Sequence, residues 1–164
     1  MIRHRLGEFN SDQAQDSFQF SMRATCNDLR RVKVFGDMAQ AESDQELPYD
    51  NEKKELSSLE QFTAGVMQSL LLTILREAAI SGVALDELEG RVTLAVKHPL
   101  RTLRVHGVEE APFIQHIHVQ IFYFIEDMEA KEGDAFIQKC LHYDPLFPGL
   151  EKAFPIEVEV HFQF

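Results

Sequence analysis

The sequence predicts an α+β protein with two helices, the first of them long and buried. Short alternating strands precede this long apolar helix, two strands follow it, and a second helix separates them from a last strand. Strands grouped in this way are typical of α+β folds rather than of doubly wound parallel sheets. With 164 residues and 45% hydrophobic content, the chain is large and apolar enough for one domain with a real core. We expect N-terminal strands at residues 1–36, a connector at 37–56 and a core at 57–164.

The N-terminal part is interpreted as two strands. Apolar and polar side chains alternate from Phe18 to Thr25, which is the period of a half-buried strand. Asn27 and Asp28 indicate a turn, and Val32–Phe35 indicates a second short strand.

The segment from residue 37 to residue 56 is strongly acidic, and Pro48 interrupts it. Lys53 and Lys54 are its only basic side chains. We interpret the segment as a mobile acidic connector, with a site for a cation or a partner as the alternative.

A long helix is predicted after the connector. Ser57 and Glu60 match a capping box, and Gly82 is suited to the position just past the last turn. Apolar side chains cover most of the helix, so we expect it to be buried from several sides, most simply in a homodimer. Its dense apolar run, Phe62–Leu75, is too short for a bilayer, which needs about 20 residues.

Two strands, a helix and a last strand complete the prediction. We expect strands at Leu88–His98 and Phe113–Ile125, a helix at Glu129–Tyr143 and a final strand at Ile156–Phe164. We expect these strands to form antiparallel sheets that pack on the two helices.

Several stretches resemble the OsmC/Ohr family, the osmotically induced and organic hydroperoxide resistance proteins. Ser58–Leu75 is similar to the family's long helix, and Ala78–Glu89 to its loop into the next strand. Pro112–Ile114 opens a strand as the family's does. His142–Leu146, which reads His-Tyr-Asp-Pro-Leu, resembles the family's His-x-Cys-Pro-x at the end of the second helix. The resemblance covers Ser57–Phe164 and implies an intertwined homodimer with both long helices at its centre.

The resemblance also implies a site, and this chain departs from it. Members of the family reduce organic hydroperoxides with two cysteines, one on each helix. In this sequence the first position falls on Ser69 or Leu70 and the second on Asp144. A hydroxyl, an alkyl group or a carboxylate cannot replace a thiolate, which is oxidised by the peroxide and then reduced again. We therefore expect a divergent member that lacks both cysteines and the thiol peroxidase activity.

Glu60 has two interpretations. The resemblance implies a glutamate near this position that holds an activating arginine, for which Arg23, Arg30 and Arg31 are all candidates. The capping box already explains Glu60 without that role.

Cys140 and two histidines offer alternative sites. Cys140 lies one helical turn before Asp144 and is the candidate thiol for a divergent peroxidase, although a structural role is favoured for it and for Cys26. His116 and His118 share one strand face and are weak candidates for a metal site completed by Glu159 and His161. The simpler interpretation is cross-strand pairing of these histidines with Glu157 and Glu159.

Charge and composition limit the partners. The net charge of −11 argues against nucleic acid and anionic membranes, and two cysteines suit a reducing cytoplasm. We predict no cofactor, a homodimer and a small apolar ligand at the dimer interface, in a pocket lined by Phe62, Met67, Ser69, Tyr143 and Asp144.

Overall fold

The computed structural model describes residues 20–27, 30–50, 52 and 55–163, and it confirms the α+β class. The chain divides into two compact units, with the boundary between Glu42 and Ser43. Its elements are β1 (Arg23–Thr25), β2 (Val32–Phe35), β3 (Gln40–Ser43), α1 (Ser58–Ser81), β4 (Glu87–Lys97), a 3-10 turn (Pro99–Arg101), β5 (Phe113–Phe124), α2 (Ala130–Leu141), α3 (Phe147–Ala153) and β6 (Ile156–Phe162).

The N-terminal unit contains a three-stranded sheet in the order β1-β2-β3. β1 and β2 are antiparallel, and the β3 residue Glu42 pairs with Arg31 and Lys33 at 3.3 Å each. The prediction of a half-buried first strand is wrong for Phe20 and Met22, whose side chains are largely exposed in this chain. Phe18, Gln19 and Asp28 lie outside the described residues.

The acidic connector contains a strand and hydrogen bonds that the sequence does not predict. It contains β3, and the carbonyls of Gln45 and Glu46 accept hydrogen bonds from the first amides of α1. The Tyr49 phenol donates to the carbonyl of Pro99 at 2.6 Å. Main-chain pairing and this exposed side-chain hydrogen bond connect the segment to the rest of the chain. Lys53 and Lys54 lie outside the described residues.

α1 begins and ends as its capping residues predict. The Glu60 amide donates to Ser57 Oγ at 3.3 Å and the Ser57 amide donates to Glu60 Oε2 at 2.8 Å, while Gly82 adopts a left-handed conformation with φ 69°. At 24 residues the helix is longer than its densest apolar run and is, by length and composition alone, able to cross a membrane. One stripe of it packs into the core of this chain, as in a core helix: Val66, Met67, Leu70, Thr73, Ile74 and Ala78.

The C-terminal unit contains a second three-stranded sheet in the order β4-β5-β6. β4 and β5 are antiparallel, whereas β5 and β6 are parallel, which differs from the expected antiparallel arrangement. Parallel neighbours need a long crossover, and α2 with α3 provides it. Alternate β5 side chains are fully buried against the helices: Ile117, Val119, Ile121 and Tyr123.

α3 is a helix that the sequence analysis does not predict. Pro145 and Pro148 indicated only the end of the second helix. Pro148 instead lies in the first turn of α3, where a missing amide proton costs no hydrogen bond. Phe147, the first residue of α3, is buried in the core, and this packing stabilises a helix of only seven residues.

Candidate functional site

The two helical regions meet at a hydrogen bond between Ser69 and Asp144. Ser69 Oγ on α1 donates to Asp144 Oδ2 at 2.6 Å, across 75 residues of sequence. The structure thus brings together two residues on separate elements that the family resemblance had indicated as site positions. Leu70, the alternative to Ser69, is 1% exposed and belongs to the hydrophobic core.

Asp144 is the centre of a small polar cluster inside an apolar environment. Asp144 is only 2% exposed. In addition to Ser69, Thr73 Oγ1 donates a hydrogen bond to Asp144 Oδ2 at 3.1 Å. The amides of Leu146 and Phe147 donate to Oδ1 at 2.8 Å each. Four donors therefore satisfy both carboxylate oxygens, which is what a buried carboxylate requires.

The local sequence explains how this cluster forms. Ser69 and Thr73 are four residues apart, so one helix face presents both hydroxyls. Asp144 lies between α2 and α3 and accepts the amides of Leu146 and Phe147, as aspartate side chains do with the amides two or three residues further on in turns. Thr73 was missed in the sequence analysis, although its spacing from Ser69 could have indicated it.

Glu60 serves the helix terminus. Its carboxylate accepts the Ser57 amide in the capping box, and Ser57 is completely buried. This geometry supports the capping interpretation.

The five residues of the predicted ligand pocket differ in their surroundings. Ser69 and Asp144 are in contact, and Tyr143 beside Asp144 is half exposed, with its carbonyl 3.4 Å from Arg76 Nη2. Phe62 lies partly exposed two turns before Ser69. Met67 is buried on the sheet side of α1, where a Cβ added to Gly90 of β4 would overlap its side chain. Met67 is thus a core residue in this chain.

The two cysteines are in opposite environments. Cys140 on α2 is buried in the core, and this burial together with the negative charge of Glu77 raises the pKa of its thiol to about 11. A thiol with that pKa is protonated at neutral pH and is a poor nucleophile. Cys26 follows β1 and is exposed, which differs from the buried structural role expected of it.

The histidines of the second sheet surround one carboxylate. Glu159 on β6 has His118 Nε2 at 3.4 Å from Oε1 and His161 Nε2 at 3.2 Å from Oε2. Gln120 Nε2 donates to Oε2 at 2.8 Å, and this hydrogen bond, followed by that of His161, lowers the pKa of Glu159. The Nε2 atom of His118 is buried and has no aligned hydrogen bond, so it approaches Glu159 closely without forming a directed hydrogen bond.

Of the cross-strand contacts predicted between His116 and His118 on β5 and Glu157 and Glu159 on β6, the structure shows the contact of His118 with Glu159. His161 lies opposite Phe122 and His118 opposite Glu157, so the two imidazoles approach Glu159 from opposite directions along the sheet. His116 is exposed at the other end of this row. In the part of the chain that the structure describes, no three His, Cys, Asp or Glu side chains are placed to hold a metal ion together.

Several solved structures share this fold over nearly their whole length. An OsmC like protein from Mycoplasma pneumoniae superposes with a TM-score of 0.72 at 16% identity, covering 90% of this chain and 99% of that one. An organic hydroperoxide resistance protein from Elizabethkingia anophelis gives a TM-score of 0.67 at 12% identity, covering 92% and 100% of the two chains. A putative organic hydroperoxide resistance protein from Vibrio cholerae, with captopril bound in one of its active sites, gives a TM-score of 0.61 at 16% identity, covering 90% and 95%.

No protein-family model and no curated protein sequence matches the chain. Identities of this size establish a common fold and not a common activity. The chain has the α+β fold of the OsmC-like and organic hydroperoxide resistance proteins.

Proposed function

We propose that this chain is a divergent OsmC/Ohr protein that has lost thiol peroxidase activity. It acts as a cytoplasmic homodimer that binds a small apolar or amphipathic molecule beside Ser69 and Asp144. The observation that carries the proposal is the 2.6 Å hydrogen bond between these two side chains. By resemblance the family's two cysteine positions correspond to Ser69 or Leu70 and to Asp144, and the contact of Ser69 with Asp144 supports Ser69, because two cysteines that form a disulfide must likewise be in contact.

The chemistry of the pair argues against peroxide reduction. A peroxidatic sulfur attacks the O–O bond as a thiolate, becomes a sulfenic acid and is recovered through a disulfide. Ser69 has no comparable oxidised state to cycle through. Its proton is engaged by Asp144, and that carboxylate is itself held by Thr73 and two amides.

Cys140 does not favour the alternative of a divergent peroxidase. The thiol is 2% exposed, so a hydroperoxide cannot reach it without local opening. Its pKa of about 11 leaves little thiolate at neutral pH.

The surface of α1 supports the homodimer. Only one stripe of this helix is buried in the chain, while Leu72 and Ile80 on other sides are 65% and 72% exposed. Phe62 and Leu75 are also exposed. Apolar side chains on several sides of one helix are expected where a second copy covers them.

The ligand class follows from the same surface. Phe62, two turns before Ser69 on α1, and Tyr143, next to Asp144 in the sequence, have partly exposed aromatic rings. Aromatic surface together with a hydroxyl and a carboxylate suits an amphipathic molecule. The Vibrio cholerae neighbour holds captopril, a small organic molecule, in one of its active sites.

A hydroperoxide assay tests the loss of activity. Purified wild-type protein is mixed with cumene hydroperoxide and dithiothreitol, and the remaining peroxide is measured. We expect no consumption above that of dithiothreitol alone, and the same result for Cys140→Ser. Enzymatic turnover that disappears in Cys140→Ser would establish the divergent peroxidase instead.

Dimerisation and ligand binding are tested separately. Light scattering after size-exclusion chromatography is expected to give twice the chain mass for the wild type and one chain mass for Leu72→Asp. Native mass spectrometry of the purified dimer is expected to show a small-molecule adduct that organic extraction removes. A monomeric wild type would contradict the homodimer, and a dimer free of adducts that binds no fatty acid or detergent would contradict the ligand.

A further inference from the structure

The segment between β4 and β5 is a basic island in an acidic chain. From Arg91 to Val108 the sequence has no acidic residue, although the net charge of the whole chain is −11. Within this stretch Lys97, Arg101, Arg104 and His106 are exposed. None of these four side chains has an ion-pair partner among the residues for which the structure gives positions.

The same loop exposes apolar side chains. Leu100, Leu103 and Val105 are 47%, 52% and 41% exposed and alternate with the basic residues. Single exposed apolar residues need no explanation, but three within six positions beside unpaired cations form a mixed apolar and cationic surface. We name residues 97–108 the basic loop.

The basic loop is ordered despite its exposure. Main-chain amides donate hydrogen bonds to the carbonyls three residues earlier, Arg101 to His98 at 3.1 Å and Arg104 to Arg101 at 3.0 Å. His98 and Arg104 adopt left-handed conformations with φ 55° and 53°, which is unusual for residues other than glycine. At the base of the loop, His98 Nε2 lies 2.6 Å from Glu110 Oε2. A loop held in this way presents its side chains without a large ordering cost on binding.

We propose that the basic loop is a docking surface for an acidic peptide segment of a partner protein, one that also carries apolar side chains. Lys97, Arg101 and Arg104 complement its carboxylates, and Leu100, Leu103 and Val105 contact its apolar groups. A peptide segment fits better than an anionic membrane. An extended negative surface would also be repelled by the many acidic residues in the rest of the chain. A short peptide covers a smaller area, and charges farther away than the screening distance of about 8 Å contribute little to its binding.

Fluorescence anisotropy with three labelled peptides tests this surface. The peptides have equal length and contain leucine with glutamate, with glutamine or with lysine. We expect the glutamate peptide to bind at least tenfold more tightly than the other two, and its affinity to fall as NaCl rises from about 50 to about 500 mM. Arg101→Glu/Arg104→Glu is expected to weaken this binding roughly fivefold or more, as the loss of two exposed ion pairs would.

Two further variants distinguish the apolar contribution to binding from the ionic one, and the basic loop from other basic residues of the chain. Leu103→Ser is expected to lower the affinity for the glutamate peptide, while the dependence of that affinity on NaCl stays unchanged. The matched control Lys131→Glu/Lys152→Glu reverses two exposed charges on α2 and α3 and is expected to bind as the wild type does. Thermal melting verifies that each variant folds. Equal affinity for all three peptides, equal weakening in the control, or binding to phosphatidylglycerol vesicles without peptide binding would overturn the proposal.

Discussion

Ser69 Oγ lies 2.6 Å from Asp144 Oδ2, and this contact joins the middle of α1 to the start of α3. Hydroxyl and carboxylate are separated by 75 residues in the sequence. The bond is part of a cluster in which one buried carboxylate accepts four donors. It therefore has both a structural consequence and a chemical one, and each can be measured.

Removal of the Asp144 carboxylate should destabilise the fold. In Asp144→Ala two hydroxyls and the two amides at the start of α3 lose their buried acceptor, at a cost of about 2–4 kcal/mol in the free energy of unfolding. Urea denaturation followed by circular dichroism measures it. Glu151→Ala, an exposed acidic residue of α3, is the matched control and should change stability by less than about 0.5 kcal/mol. Equal losses in both variants would contradict the buried cluster.

Gly133 on α2 is required by the phenol of Tyr123. A methyl group added there would overlap the Tyr123 ring, whose hydroxyl donates to Asp134 at 2.9 Å. Alanine is favoured over glycine in helices by about 1 kcal/mol, but the overlap should reverse the sign and destabilise Gly133→Ala by about 1–3 kcal/mol.

Gly149→Ala is the control for this prediction. A methyl group there meets nothing within 4 Å, so helix propensity alone should apply and the variant should be as stable as the wild type or more so. The denaturant midpoints of the two variants, compared with that of the wild type, measure these changes in stability. A Gly133→Ala protein at least as stable as the wild type would show that Tyr123 can move aside.

Glu159 gives a pH-dependent prediction. Hydrogen bonds from Gln120 and then His161 lower its pKa below the ordinary 4.5. A lowered carboxyl pKa contributes stability above the unfolded-state value, and that contribution is lost as the pH falls through the folded-state value. The difference in stability between wild type and Glu159→Gln should therefore be present at pH 6 and disappear below the lowered pKa.

Carboxyl-carbon NMR titration checks the cause directly. We expect Gln120→Ala to raise the pKa of Glu159 toward its ordinary value, because the Gln120 hydrogen bond is the largest contribution. Gln138→Ala, an exposed glutamine on α2, should leave the titration unchanged. An unchanged pKa in Gln120→Ala would assign the effect to the histidines instead.

The two thiols should react at very different rates. At pH 7.5 the exposed Cys26 is expected to react with Ellman's reagent within minutes, while Cys140 reacts only after unfolding. Cys26→Ser should abolish the fast phase, and Cys140→Ser should leave it intact. Two fast thiols in the native protein would show that α2 opens readily.

The raised pKa of Cys140 also predicts a pH dependence of stability. Because this pKa is about 11 in the folded protein, the contribution of the protonated thiol to stability is present below the unfolded-state pKa of 9 and is lost as the pH rises toward 11.

Much of the fold could be predicted because its signals are local. The capping box at Ser57 and the left-handed Gly82 delimit α1, and the alternation in β5 identifies its buried face. β3 and α3 were missed because their signals are weak: β3 has four polar or small residues, and α3 has a proline in its first turn. Packing and pairing with other parts of the chain stabilise both of them.

The sequence by itself determined the types of the longer elements, the caps of α1 and the absence of cysteine at either position of the predicted site. It could not choose between Ser69 and Leu70, because residues one apart on a helix differ in direction by about 100° and only the packing partner decides which faces the core. Nor could it show that Thr73 shares Asp144, or that β5 and β6 are parallel. Those relationships depend on where distant segments meet, and only the tertiary structure decides that.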